Sequence, residues 1–263
     1  MAYEAGTMDT LMNAPFGAPR RSLWSVAREF FNPPLDRVDA AERVDAQGWS
    51  MGHSAGALSS YLRIPVSRCP EAASRILYTG NLSPASGAAD FLNGAITWTE
   101  QHPDRAIELC WIGEGDMQGV LRAQPLPANL RQRFAGPLTP GQIAGRMAQS
   151  GLLALPYVGR GWPPYLLEAM ASGMVVLGSE RNPGVRRLVL HQHTGWLFDP
   201  RSPASLLIGL NAALGVGAEP LHAMREQARA RALGFQSRMA APLRDQAGRD
   251  LGPIDVSRAA QAG

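Results

Sequence analysis

From Arg75 onward the chain alternates short apolar runs with segments of helical period, and this restricts the fold more than any other feature. RILYTG, IELCWIGEG, GLLALP, MVVLG and GWLFDP read as buried strands, and LRQRFAG carries a further, shorter one. Between them Gly87 to Gln101, Met117 to Gln124, TPGQIAGRMAQS and PPYLLEAMASG read as helices, and Ser202 to Leu214 and Leu221 to Leu233 read as terminal helices. Thr139 is a candidate helix cap, and the prolines before Tyr165 suit a first helical turn. Leu166, Leu167 and Met170 are placed to face a sheet, and Gly173 to end their helix.

Strands and helices in this order imply an α/β fold: a Rossmann-like parallel sheet with helices on both faces. Ligands in such sheets bind beyond the carboxyl ends of the strands. Attention therefore falls on the loops after Tyr78, Ile112, Phe134, Pro156 and Leu177. Residues 1–74 are richer in proline, glycine and short polar segments, with helix candidates only around Leu23 to Phe31 and Ala40 to Gln47. They are expected to form an irregular N-terminal segment, followed by one domain over 75–240 and a C-terminal tail over 241–263.

All 25 basic residues are arginine, which removes any mechanism that uses lysine. Arginine still grips phosphate through paired hydrogen bonds, although the abundance of alanine, glycine and proline suggests a compositional origin. The net charge of +3, without arginines interleaved with aromatics, gives no expectation of nucleic acid. Cys69 and Cys110 have no metal-ligand spacing, and His191 and His193 lack a nearby third ligand, so no metal or other cofactor is expected. MAYEAGTMDT lacks the pattern of a signal peptide, and no apolar run approaches the roughly 18 residues of a membrane span. A cytoplasmic protein is the expectation.

The segment GRGWPPYLLEAMASG concentrates the chemistry. Glu168 is the lone charge of an apolar helix beside a strand end, a placement that suits a carboxylate beside a ligand, or one that caps a backbone amide or is merely exposed. GHSAG, which contains His53, has its residues in the wrong order for a nucleophile elbow and no preceding strand. MREQARARALGF reads as an arginine-rich amphipathic helix with a face for solvent or a partner.

The run LLEAMASGMVVLGS, followed by HTGWLFDP, resembles the nucleotide-sugar-binding half of GT-B retaining glycosyltransferases of family 4. YTGNLSPASG, IGEGD and FAGPLT precede it in the family's order, so that the resemblance covers roughly residues 75 to 240. It implies a GT-B-type C-terminal domain and the transfer of a sugar from a nucleotide-sugar donor to an unknown acceptor. Glu168 falls on the second glutamate of the family's Glu-x7-Glu motif, which holds the donor ribose. Gly136 and Leu138 fall near the base, Gly80 and Asn81 in the loop after the first strand, and Gly161 and Trp162 by the transferred sugar and phosphates. Trp162 has an equal reading as a core anchor.

The departures are specific. Arg160 replaces the motif's first glutamate, and Arg187 replaces another acidic position. Asn81 and Ser86 stand where the family has the arginine and lysine that neutralise the diphosphate. Arg160, Arg186 and Arg187 are candidate substitutes on two loops expected to converge. Too few residues precede the first strand to form the family's acceptor domain, so a separate acceptor-domain chain is a candidate partner. The alternative is a catalytically inactive nucleotide-binding or protein-interaction module of the same descent.

Overall fold

A computed structural model describes residues 58–66, 70–159, 162–163 and 165–250. The helix candidates near Leu23 and Ala40, together with His53, Cys69, Arg160 and Gly161, lie outside them. Six parallel strands form one sheet: β1 (Arg75–Thr79), β2 (Ile107–Ile112), β3 (Leu130–Gly136), β4 (Leu152–Leu155), β5 (Val175–Ser179) and β6 (Gly195–Phe198). Their spatial order is β3-β2-β1-β4-β5-β6, which reverses direction between β1 and β4. That reversal is where a crevice opens at the strand ends of a doubly wound sheet.

Eight α-helices accompany the strands among the described residues: α1 (Ser59–Leu62), α2 (Ala88–Gln101), α3 (Gln118–Ala123), α4 (Pro140–Gln149), α5 (Leu166–Ala171), α6 (Pro183–Leu188), α7 (Pro203–Gly215) and α8 (Ala218–Asp250). Side chains alternate across a strand, and each strand sorts its apolar residues accordingly. Ile76, Tyr78, Leu109, Trp111, Leu177 and Phe198 pack with Phe91 and Trp98 of α2 and Leu206 and Leu210 of α7. Leu77, Cys110, Leu153, Val176 and Leu197 pack on the other face with residues of α1, α4, α5, α6 and α8. Burial on both faces explains why these strands read as continuous apolar runs.

The sequence expectations need four corrections. β3 is the longest strand, not a shorter one, at seven residues. It is an edge strand whose Arg131 and Arg133 are exposed, so its pattern alternates and conceals its length. α5 starts at Leu166, after Tyr165 in left-handed backbone, which leaves Pro163 ahead of the helix rather than in its first turn. Arg186 and Arg187 lie on the helix α6, not in a loop. The last helix runs to Asp250, well beyond Leu233 and across the expected boundary at 240. The cap at Thr139 is as read: its hydroxyl accepts from the Gln142 amide, and the Gln142 side chain accepts from the Thr139 amide, a complete capping box.

Several arginines serve helix ends. Helix C-termini leave carbonyls without intrahelical partners, and cations there also complement the helix dipole. Arg75 donates to the Gln149 carbonyl at the end of α4 and Arg229 to Ala171 at the end of α5. Arg231 reaches Leu188 and Arg187 at the end of α6, and Arg105 reaches Leu214 near the end of α7.

At the carboxyl ends of β1 and β2 the backbones touch. A Cβ on Gly113, whose φ is +128°, would stand 2.0 Å from the Gly80 carbonyl oxygen. Gly113→Ala is expected to destabilise the fold by about 2–4 kcal/mol through this clash and the strained backbone. Gly119→Ala, in α3 with open space around it, is expected to gain about 0.5–1 kcal/mol. Urea midpoints at constant slope would measure both changes.

Candidate functional site

The site elements gather at the strand ends on either side of the β1–β4 reversal. The loop after β1 is fixed by the Gly80 amide, which donates to Ile112, and by the Tyr78 hydroxyl, which donates to the Asn81 carbonyl. Asn81 is exposed. Ser86 is buried, and its hydroxyl donates to Ser83 at 2.6 Å while accepting from the Ala88 amide at 3.3 Å. That hydroxyl is thus committed to shaping the entry to α2. Gly87 brings this entry against Pro156, the first residue beyond β4, so the two loops adjoin.

β3 ends at Gly136, whose φ is +67° and beside which a Cβ would find no atom within 4 Å. Its carbonyl accepts from the Gly113 amide. Leu138 is half-buried on the apolar layer that includes α4 and α5.

Glu168 sits in the first turn of α5, where the helix dipole favours a carboxylate. Only 4% of the residue is exposed, a low value for a glutamate. Its carbonyl accepts from both the amide and the hydroxyl of Ser172, which binds the turn below it. Tyr165 precedes the helix with φ +61°, a conformation that disfavours a bulky residue. Burial and the nearby Glu168 raise its phenol above the ordinary range. Tyr61, from α1, packs in the apolar layer with Leu166, Ala169 and Met170 of α5, and its hydroxyl donates to the Pro140 carbonyl at 3.5 Å. Burial first, then Glu168 and Tyr165, push the Tyr61 phenol up to about 12. Neither tyrosine emerges from the local sequence pattern, because Tyr61 owes its place to tertiary packing and Tyr165 to an unusual backbone.

Asn182 was also not foreseen, although the run Asn-Pro-Gly is a helix-start signal. Fully buried, it accepts from the Val185 amide at the start of α6 and donates to the Gly159 carbonyl at 2.6 Å. It therefore staples the loop after β4 to the helix after β5. Gly184 lies flush with Trp162 and Pro163 in the same contact. The Trp162 ring stacks on Phe235 of α8 with centroids 5.4 Å apart, the anchoring role that was one of its two readings. The Arg187 guanidinium lies 5.5 Å over that Phe235 ring, whereas Arg186 is exposed.

The family model described as Glycosyl transferases group 1 matches residues 73–215, more than half of the chain. The chain belongs to the group 1 glycosyl transferases. The C-terminal domain of the group 1 family protein LpcC from Francisella tularensis is 17% identical, with a TM-score of 0.52, covering 61% of this chain and 84% of that domain. Sucrose-phosphate synthase from Thermosynechococcus elongatus is 19% identical at a TM-score of 0.55, covering 67% of this chain and 45% of its own. HepE from Anabaena, solved with UDP and glucose, is 19% identical at a TM-score of 0.53, covering 72% of this chain and 52% of its own. No curated protein sequence matches. The chain thus has the fold of the C-terminal domain of a group 1 glycosyl transferase and spans about half the length of the two longer enzymes. No single helix among the described residues is long and apolar enough to cross a membrane.

The histidines of this group 1 domain have a structural role in part. His191 Nδ1 accepts from the Leu197 amide at 3.0 Å, tying the loop before β6 to that strand. Burial, then His193, hold its pKa below 6.5. A depressed folded pKa means the unfolded chain takes up the proton first, so this contribution is present above about pH 6.5 and fades as pH falls through the folded value. Between about pH 7 and about pH 5 the wild type is expected to lose stability more steeply than His191→Phe, which is less stable at neutral pH but lacks this titration. Thermal melts across that range would check the slopes.

Proposed function

We propose that residues 75–240 form a donor-binding unit for transfer of a sugar from a nucleotide sugar, with the acceptor held by a second domain or a separate chain. The observation that carries this reading is Glu168, a carboxylate in the first turn of α5 at the strand ends, within a matched group 1 domain. A carboxylate there accepts both ribose hydroxyls through charge-assisted hydrogen bonds. Gly136 and Leu138 lie on the side assigned to the base, where left-handed glycine backbone adjoins open space. Gly80, Asn81, Arg160, Gly161 and Trp162 belong to the loops assigned to the phosphates and sugar, with Arg186 and Arg187 as candidate phosphate partners.

Departure of a nucleoside diphosphate requires charge stabilisation on its oxygens. Asn81 and Ser86 bring no charge, and the Ser86 hydroxyl is engaged within its own turn. This favours a second reading, a nucleotide-binding module without turnover. Arg160 and the exposed Arg186 keep the transferase reading open, since Arg187 packs on Phe235.

Calorimetric titration with UDP, GDP and ADP, followed by hydrolysis or transfer assays with the matching nucleotide sugars, tests both readings. One nucleoside diphosphate is expected to bind, and Glu168→Ala to weaken it by about 10- to 100-fold, the loss of hydrogen bonds to a charged group. Unchanged affinity in that variant would remove the ribose assignment. Binding without turnover under any acceptor condition would select the second reading.

A further inference from the structure

The described part of the loop after β4, residues 156–159 with Trp162 and Pro163, lies at the reversal between β1 and β4, where a doubly wound sheet binds its ligands. Gly87 brings the loop after β1 against its first residue, Pro156. The rest of the loop leans on α6. A Cβ on Gly184 would stand 2.8 Å from Pro163 and 3.2 Å from Trp162, so the first turn of α6 lies flush with one end of the loop. Asn182 takes the other end, donating its side-chain amide to the Gly159 carbonyl at 2.6 Å. The Tyr157 ring folds over the same glycine, where a Cβ would stand 1.8 Å from the phenol oxygen.

Asn182 is itself held at every polar atom. It is fully buried, its backbone amide donates to Ser179 at the end of β5 at 3.2 Å, and its carbonyl accepts from the Arg186 amide at 3.0 Å. Its side-chain oxygen accepts from the Val185 amide at 3.0 Å, which caps α6. A backbone N–H can only donate and a backbone carbonyl can only accept, so the two partners fix which end of the Asn182 amide faces which. The cap alone is met equally well by serine or aspartate. Among the common cap residues asparagine alone adds an amide donor to the acceptor, and here that donor reaches a carbonyl 23 residues away. The need for asparagine therefore lies in the loop after β4, not in α6.

We propose that Asn182 is a positioning residue for the diphosphate end of the ligand: it ties the Gly159 peptide to the end of β5 and so sets the loop after β4 in the geometry that receives phosphate. This inference rests on the donor reading above, which assigns that loop to the phosphates and sugar, and adds the residue that shapes it. A loop already held in place binds its ligand without the cost of being ordered. Loss of the Asn182 donor therefore falls on the groups this loop meets. Gly136, Leu138 and Glu168, assigned to the nucleoside, belong to β3, the segment after it and α5.

The test is calorimetric titration of the full chain with UDP and UMP, and with GDP and GMP, as wild type, Asn182→Ser and Asn182→Ala. Serine keeps a neutral cap but ends one bond short of the amide donor, and alanine removes cap and donor together. Both variants are expected to bind the diphosphate about tenfold more weakly than wild type, and the monophosphate within about threefold of it. In thermal melts the serine variant is expected to stay closer to wild type than the alanine variant, so the affinity loss does not follow the stability loss. Unchanged diphosphate binding, an equal loss for monophosphate and diphosphate, or a loss in the alanine variant alone would overturn the positioning role and leave the donor reading intact. Absence of nucleotide binding in wild type would overturn both. Hydrogen exchange of the wild type gives a check independent of the variants' folding. Amides of Val158 and Gly159 are expected to be protected more by the diphosphate than by the monophosphate, and equal protection would also overturn the positioning role.

Discussion

A parallel sheet has two faces that must both be removed from water, and the rest of this structure follows from that requirement. One face is covered by α2, α3 and α7, drawn from the β1–β2 and β2–β3 crossovers and from the chain after β6. The other receives α4, α5 and α6, which are short, and is completed by α8 and by α1 from before the first strand. Segments outside the six-strand repeat are therefore part of the core. Tyr61 is an instance: recruited from before the first strand, it packs on the helix that carries Glu168.

Arginine is the only strong cation in the chain, and the structure divides it between two tasks. Arg75, Arg105, Arg229 and Arg231 donate to carbonyls at helix ends, where a guanidinium satisfies orphan acceptors and opposes the dipole. Arg181 makes a paired bond to Asp199, at 2.7 and 3.0 Å, which holds Asp199 below the usual carboxylate range and joins the ends of β5 and β6. Such arginines are committed to the fold. Counting basic residues in the sequence therefore overstates the positive charge available to a phosphate.

The parts of the fold legible in the sequence are those governed by local rules. The buried strands announce themselves because two covered faces need apolar residues at most positions, as in VVLGS and IELCWI, where only Ser179 and the part-exposed Glu108 are polar. Thr139 and Gln142 announce a helix start because a capping box has a fixed spacing. The length of β3 is hidden because an edge strand shows Arg131 and Arg133 to water. α6 has six residues, fewer than two turns and too few for a periodic signal, so only its Asn-Pro-Gly start marks it in the sequence. Glu168 stands out in the sequence by its isolation in an apolar helix, but its burial does not, since burial is set by tertiary packing. Sequence separation hides such a contact whatever the local pattern.

These constraints together assign different strengths to the two ends of the proposed donor site. At the nucleoside end there is a carboxylate in a helical first turn, a left-handed glycine with open space beside it, and a half-buried leucine. At the phosphate end Asn81 is neutral, Ser86 is engaged within its turn, and Arg187 lies against Phe235. Binding energy on this reading is concentrated on the part of the donor that does not react. Energy spent there holds the ligand without lowering the barrier to bond cleavage, because it is the same in the ground and transition states. Converting such a grip into catalysis requires a cation that stabilises the charge developing on the leaving group, and on this reading Arg160 and the exposed Arg186 are the candidates to supply it.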